Sequence, residues 1–430
     1  MNLDTAPTEE LEQWLITLEQ EYQAYQAQNI KLDLTRGKPS AEQLTLADTL
    51  DGSLNGNYLS ADGTDTRNYG GLSGIKESRE LGAELLGVKL EEVSAQGNSS
   101  LSLMFLSALF AKDFGFRGAN SAWKTANNSS DKITFICPVP GYDRHFSVCE
   151  QLGINMVTVP MTATGPDMDA VEALIKTDKS IRGLWCVPKY SNPTGVIYSN
   201  ETVSRIAKLG QIAADNFLVF WDNAYAVHDL KGYKPLANIM DACREYGTEN
   251  NLLQFASTSK ITHAGAGVAF IASSVENLSG FHKALGIMSI GPDKVNQLRH
   301  SRLFPDRQAL LSHMEKHATI LKPRFDCVQQ HLSEHFSDND LGEWESVDGG
   351  YFVSFDSKAG LAKNIVQLAA DVGVKLTPAG ATFPYNDDPL DNNIRIAPSV
   401  PTLEQVDEAM KIFVLCVKLA SVRQKLDKQP

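Results

Sequence analysis

The sequence predicts an α/β fold, a large doubly wound and mostly parallel sheet accompanied by a smaller α+β domain. Three observations carry this reading. From the Gly/Asp/Asn-rich connection at residues 51–71 onward, short apolar runs alternate with helix-length amphipathic segments, the pattern of strands joined by crossover helices. Past residue 310 that pattern stops, and helical periodicity is followed by isolated strand-like runs and a last helix. The length of 430 residues allows two or three domains, and 43% hydrophobic with 21% charged residues is ordinary for a folded chain.

The elements follow in order. Residues 8–26 place Leu11, Leu15, Leu18 and Tyr22 at spacings of three and four, an amphipathic helix read as an N-terminal arm. Strands are expected at 133–137, 154–159, 182–187, 217–221, 252–256 and 268–272, with helices at 168–176 and 203–214 between some of them. The polar, Ser- and Asn-rich segment 115–132 reads as a surface insertion. Strands at 351–355 and 394–396 and a helix at 403–419 complete the chain. The division this implies is 1–50 as the arm and part of the small domain, 51–309 as the large domain, and 310–430 as the small domain.

Composition excludes several classes of function. Lys and Arg total 39 against 52 Asp and Glu, a formal charge of −13, opposite to the basic surface that nucleic-acid backbones require. No apolar run approaches the roughly 18 to 20 residues that span a bilayer, and residues 1–11 lack the features of a signal peptide. The six cysteines form no CxxC pair and read as free thiols, so a cytoplasmic protein is expected.

In an open parallel sheet, ligands bind beyond the carboxyl ends of the strands. There the sequence sets Pro140-Gly141-Tyr142, then Asn192-Pro193-Thr194-Gly195, Asp222-x-x-Tyr225, and Ser257-x-Ser259-Lys260, each after a different predicted strand. Singly these are a turn, a helix cap and a solvated lysine. Jointly they supply what a pyridoxal phosphate site needs. Lys260 offers the Schiff-base amine, Asp222 a carboxylate for the pyridine nitrogen, Asn192 and Tyr225 donors for the phenolate oxygen, and Tyr142 a face for stacking. The phosphate finds a helix N-terminus at Gly97-Asn98-Ser99-Ser100, with the hydroxyls of Ser99, Ser100, Ser257 and Ser259.

With these motifs, Asn68-Tyr69-Gly70 and Arg395 in Ile394-Arg395-Ile396-Ala397, the chain resembles the fold-type I pyridoxal-phosphate aminotransferases of class I/II from about Leu34 to its last helix. Arg36-Gly37-Lys38-Pro39-Ser40 and Lys189-Tyr190-Ser191 resemble a bacterial subgroup that includes aspartate aminotransferases. The resemblance implies that Arg395 grips the substrate α-carboxylate and that Gly37 lines the substrate pocket. It also implies that Tyr69 reaches the phosphate of a neighbouring subunit, hence a homodimer with shared sites. The implied reaction is ping-pong transfer of an amino group from an L-amino acid, aspartate by the subgroup, to 2-oxoglutarate. Other donors (kynurenine, 2-aminoadipate, alanine), a pyridoxal-dependent lyase and a non-catalytic cofactor-sensing domain are the alternatives.

Two features depart from or complicate this reading. The family's phosphate-neutralising arginine, eight residues after the lysine, is here Val268, leaving His263, the other subunit, or hydroxyls and a helix dipole to serve. A distal substrate carboxylate needs a second cation, for which Arg36, Lys38, Arg144 and Lys189 are candidates. The H-x-x-E-H pattern at His331–His335 and the pair His313 and His317 lie on helical spacing and are read as packed positions, with no metal expected.

Overall fold

A computed structural model describes residues 3, 5–125 and 132–428. Its centre is an eight-stranded sheet built from β1 (Val93–Ala95), β2 (Thr134–Val139), β3 (Asn155–Thr162), β4 (Gly165–Pro166), β5 (Ile181–Cys186), β6 (Leu218–Asp222), β7 (Leu252–Ser257) and β8 (Ala269–Ala272). The spatial order is β1-β8-β7-β6-β5-β2-β3-β4. The block from β7 to β3 is parallel, and β8, β1 and β4 join it antiparallel.

Period-two alternation explains why the sheet is covered on both faces. Phe135, Cys137, Trp185, Phe220 and Phe255 enter one buried cluster, with helices Ser100–Asp113, Asp143–Gln151 and Val275–Met288. Ile136, Leu184, Cys186, Val219 and Trp221 enter another, with helices Met168–Thr177, Asn200–Lys208 and Ile239–Tyr246. The chain runs outward from β2 to β3 and then crosses to β5, β6 and β7. The reversal opens a crevice at the carboxyl ends of β2 and β5.

Three findings refine the sequence reading. The N-terminal helix read as an arm, Thr8–Gln26, packs against the C-terminal helix, Leu403–Asp427. Its stripe Leu11, Leu18 and Tyr22 is buried there, and the Tyr22 hydroxyl donates to the Leu368 carbonyl at 3.0 Å. The segment 115–132 is not simply a surface insertion. Phe116 and Trp123 are buried, Trp123 meets Phe135 edge-on at 5.4 Å, and its Nε1 donates to the Asn216 carbonyl at 2.8 Å; residues 126–131 of that segment lie outside the described residues. The place read as the start of the small domain falls in the first turn of one continuous helix, Arg307–Phe336. Its early residues Leu310 and Met314 join a core of the large sheet, and Phe325 to Phe336 join the core of the C-terminal part.

That C-terminal part holds an antiparallel sheet in the order β9 (Gly342–Trp344), β10 (Val353–Ser357) and β11 (Asn393–Ile396), plus the parallel pair Leu32–Asp33 with Val374–Lys375. Strand β10 starts two residues later than its apolar run suggests. Gly350, at φ +82°, turns the chain after a bridge from Gly349 to Asp229, which frees Tyr351 and Phe352 to face the large sheet.

Candidate active site

One cavity of about 620 Å³ lies where the C-terminal part meets the crevice. Lys260, Tyr142, Asn192, Tyr225, Arg395 and Gly37 all line it, although they come from six separated stretches of chain. The last turn of each strand explains the convergence. Tyr142 follows β2 and precedes helix Asp143–Gln151, Asn192 follows β5, Asp222 ends β6, and Lys260 lies in the connection that returns as antiparallel β8.

Lys260 is held through its main chain. Its carbonyl accepts from the Tyr351 hydroxyl at 3.4 Å and lies 3.3 Å from His228 Nε2. Its ammonium sits 4.9 Å from the centre of the Tyr225 ring. Burial lowers its pKa below the usual lysine range, and the negative charge of Asp222 opposes the shift. Asp222 is 3% exposed. Its Oδ2 is 3.0 Å from His145 Nε2, while Oδ1 is buried and makes no hydrogen bond within the chain. His145 in turn stacks on Trp185 at 4.2 Å and meets the Tyr142 ring edge-on at 5.0 Å. Burial raises the phenol pKa values of Tyr142 and Tyr225, so both stay protonated as donors.

Arg395 is fixed on several sides. Its Nε donates to Thr377 Oγ1 at 3.3 Å, and its Nη1 donates to Asp143 Oδ1 at 2.9 Å and Asn192 Oδ1 at 3.2 Å. The guanidinium lies 4.8 Å from the centre of the Phe352 ring. Any side chain on Gly37 would collide with that ring.

The serines gather beside this cavity and do not line it. Ser99 caps helix Ser100–Asp113 by accepting from the Ser102 amide at 3.2 Å. Ser259 Oγ donates to the Asn98 carbonyl at 2.7 Å, and Asn98 Nδ2 donates to the Gly265 carbonyl at 2.9 Å, so the turn before the helix is tied to the lysine loop. A Cβ at Gly97 or Gly265 would meet only open space. Ser257 ends β7. Val268 is buried in an apolar cluster with Phe270 and Phe304, where a cation would be desolvated. His263 is drawn 3.5 Å from Asp48.

Two further candidates stand outside this cavity. Tyr69 is 83% exposed and takes no part in the cavity of its own chain. Lys189 lies elsewhere, buried beside Asp229 at 2.9 Å, whereas Arg36, Lys38 and Arg144 do line the cavity. The two histidines of the H-x-x-E-H pattern part company: His331 Nε2 is 2.8 Å from Asp407 and His335 Nδ1 is 3.2 Å from Lys418. Cys327, His331 and Asp407 do come together, but Lys411 holds the other oxygen of Asp407 at 2.6 Å.

The sequence reading missed Asp143, His145, Thr377 and Phe352. His145 stands one helical turn after Tyr142, a signal that was present; Thr377 and Phe352 carry none.

A model of the aspartate aminotransferase family matches residues 7–429. The chain belongs to that family. It is 43% identical over 408 residues to an aspartate aminotransferase of Corynebacterium glutamicum, covering 94% of this chain and 93% of that one. A crystal structure of an aspartate transaminase from the same organism superposes with a TM-score of 0.92 at 41% identity, covering 99% of each chain. An α-aminoadipate aminotransferase of Thermus thermophilus, complexed with N-(5'-phosphopyridoxyl)-L-leucine, shares the fold at a TM-score of 0.74 and 20% identity over 95% of each chain. The protein is therefore an aminotransferase of fold type I, and the family implies pyridoxal phosphate. The residues fit that group: the free oxygen of Asp222, the buried lysine with a lowered pKa, and the open cradle at Gly97 each answer one part of it.

Proposed function

We propose that this aminotransferase moves the amino group of L-aspartate to 2-oxoglutarate by ping-pong chemistry, with Lys260 as its catalytic base. The observation that carries the reading is the charge of the cavity: Arg395, Arg36, Lys38 and Arg144 line it against the acids Asp143 and Glu150, a surplus of positive charge that matches the two carboxylates of a dicarboxylic substrate. The likeness to a relative named aspartate aminotransferase supports the same choice.

When bound, pyridoxal phosphate supplies an electron sink for the substrate α-carbon. Arg395 holds the α-carboxylate. Lys260, its pKa lowered by burial, takes the α-proton and returns it. Asp222 would hold the pyridine nitrogen through Oδ1, with His145 orienting that carboxylate from its other oxygen. Tyr225 and Asn192 would donate to the phenolate oxygen, and Tyr142 would cover a ring face. Ser99, Ser100, Ser257, Ser259 and the helix N-terminus would hold the phosphate with no arginine at Val268.

We further propose a homodimer that shares its active sites through Tyr69. Exposed Ile287, Met288 and Ile290 lead to Gly291, which packs on Gly70, so Tyr69 belongs to an apolar patch of the kind that partners cover. The six cysteines, all free of disulfides, favour a cytoplasmic location. No helix among the described residues is long and apolar enough to cross a membrane.

A donor screen with 2-oxoglutarate as acceptor tests the substrate. Aspartate should give the highest kcat/KM; preference for kynurenine, 2-aminoadipate or alanine would replace it, and pyruvate with ammonia in the absence of an acceptor would indicate a lyase. Lys260→Ala should lose both turnover and the cofactor adduct that borohydride fixes on that side chain.

A further inference from the structure

A second cavity, of about 210 Å³, lies on the far face of the large sheet. Along β6 and β7, Trp221 pairs with Gln254 and Asp222 with Phe255, so Gln254 points away from the face that Asp222 serves. Trp221 and Gln254 are each 1% exposed and Asn223 is 8% exposed, and all three line this cavity. Gln254 Nε2 and Asn223 Oδ1 are both buried and make no hydrogen bond within the chain. Native interiors rarely leave such groups unpaired, and two in one cavity call for a ligand able to satisfy both.

The charges define which ligand. Lys189 is spoken for by Asp229 at 2.9 Å and the Lys234 carbonyl at 2.6 Å, and Arg307 is bound to Glu84 at 2.7 Å. Two cations thus face two anions across the lining, and a net-charged guest would leave one charge uncompensated. Gln254 Nε2 can only donate and Asn223 Oδ1 can only accept. A planar amide carries the matching acceptor and donor on one edge, and the Trp221 indole gives it a flat wall. A water's share of liquid volume is about 30 Å³, which makes the space that of roughly seven waters or of one molecule the size of an amino acid.

We propose that this cavity is a second binding site, separate from the substrate cavity, for a net-neutral, amino-acid-sized carboxamide. The two cavities share no lining residue, although Asn223 follows Asp222 in sequence.

Succinamide is a suitable probe because it lacks the α-amino group through which a substrate would react at Lys260. Calorimetric titration of the holoenzyme should show saturable binding, unchanged when a dicarboxylate inhibitor fills the substrate cavity. A crystal soaked in succinamide should show it between Gln254 and Asn223. Gln254→Leu removes one partner and replaces an unpaired buried amide with a group of similar shape. It should weaken binding at least tenfold, raise the melting temperature, and leave turnover and the cofactor absorbance unchanged. No saturable binding to the wild-type holoenzyme, competition by the dicarboxylate, or a soak that shows only water in this cavity would overturn the proposal. So would equal affinity in a folded Gln254→Leu protein.

Discussion

Arg395 shows how far a single residue could be read. Its residue type and its place in Ile394-Arg395-Ile396 were visible in the sequence, whereas its orientation depends on Asp143, 252 positions away, and on Thr377 and Phe352. No local pattern encodes such contacts, because only the closing of the C-terminal part over the crevice creates them. The geometry makes a prediction that charge alone does not. Arg395→Lys keeps the cation but cannot hold Thr377, Asp143 and Asn192 while offering a flat face to a carboxylate. Losing one charge-assisted pair, about 1.5 to 3 kcal/mol, should raise KM for the amino donor roughly 10- to 100-fold. Steady-state kinetics with both substrates check this, and an unchanged KM would take Arg395 out of substrate binding.

At the scale of the element, strands were the most legible features, since apolar runs bounded by turn residues are local signals and the groups at their carboxyl ends follow directly. What stayed hidden was the use of those signals. The run before Tyr351 continues into β10 only after a glycine turn, and Trp123, in a polar segment, is buried by contacts with β2. Helix Ser100–Asp113 offers a test of how one residue serves both fold and site. Ser99 caps it, and replacing a serine cap by alanine costs about 1 kcal/mol while glycine costs only a few tenths. If Ser99 also binds the phosphate, Ser99→Ala should lower the urea midpoint of the cofactor-free protein more than Ser99→Gly does. Both variants should release pyridoxal phosphate more readily than the wild type in equilibrium dialysis.

At the scale of the whole molecule, a buried polar network links the three parts of the chain beneath Lys260. Gln43 Nε2 lies 2.9 Å from both His317 Nδ1 and the Tyr351 hydroxyl, and His317 lies 3.1 Å from His313, which reaches the Ile261 carbonyl at 2.7 Å. Burial lowers the pKa of His228 to about 3 and of His317 to about 4. In the unfolded chain these rings protonate near pH 6.5, so between that pH and the folded values the unfolded state binds more protons. Folding stability should therefore fall as pH falls from 6.5 toward 4, by about 1.4 kcal/mol per pH unit for each histidine. His317→Gln should remove one such increment from the slope, read from urea unfolding at a series of pH values. The proposed dimer predicts a further behaviour that no single chain can show. If Tyr69 completes the site of its partner, Tyr69→Ala and Lys260→Ala damage the same site from different subunits. Mixed and allowed to exchange subunits, two nearly inactive proteins should regain activity, because each hybrid has one site with native Lys260 and native Tyr69, while its other site carries both defects. Sedimentation would establish the dimer and its exchange, and an exchanging mixture with no gain in turnover would mean that Tyr69 does not act across the interface.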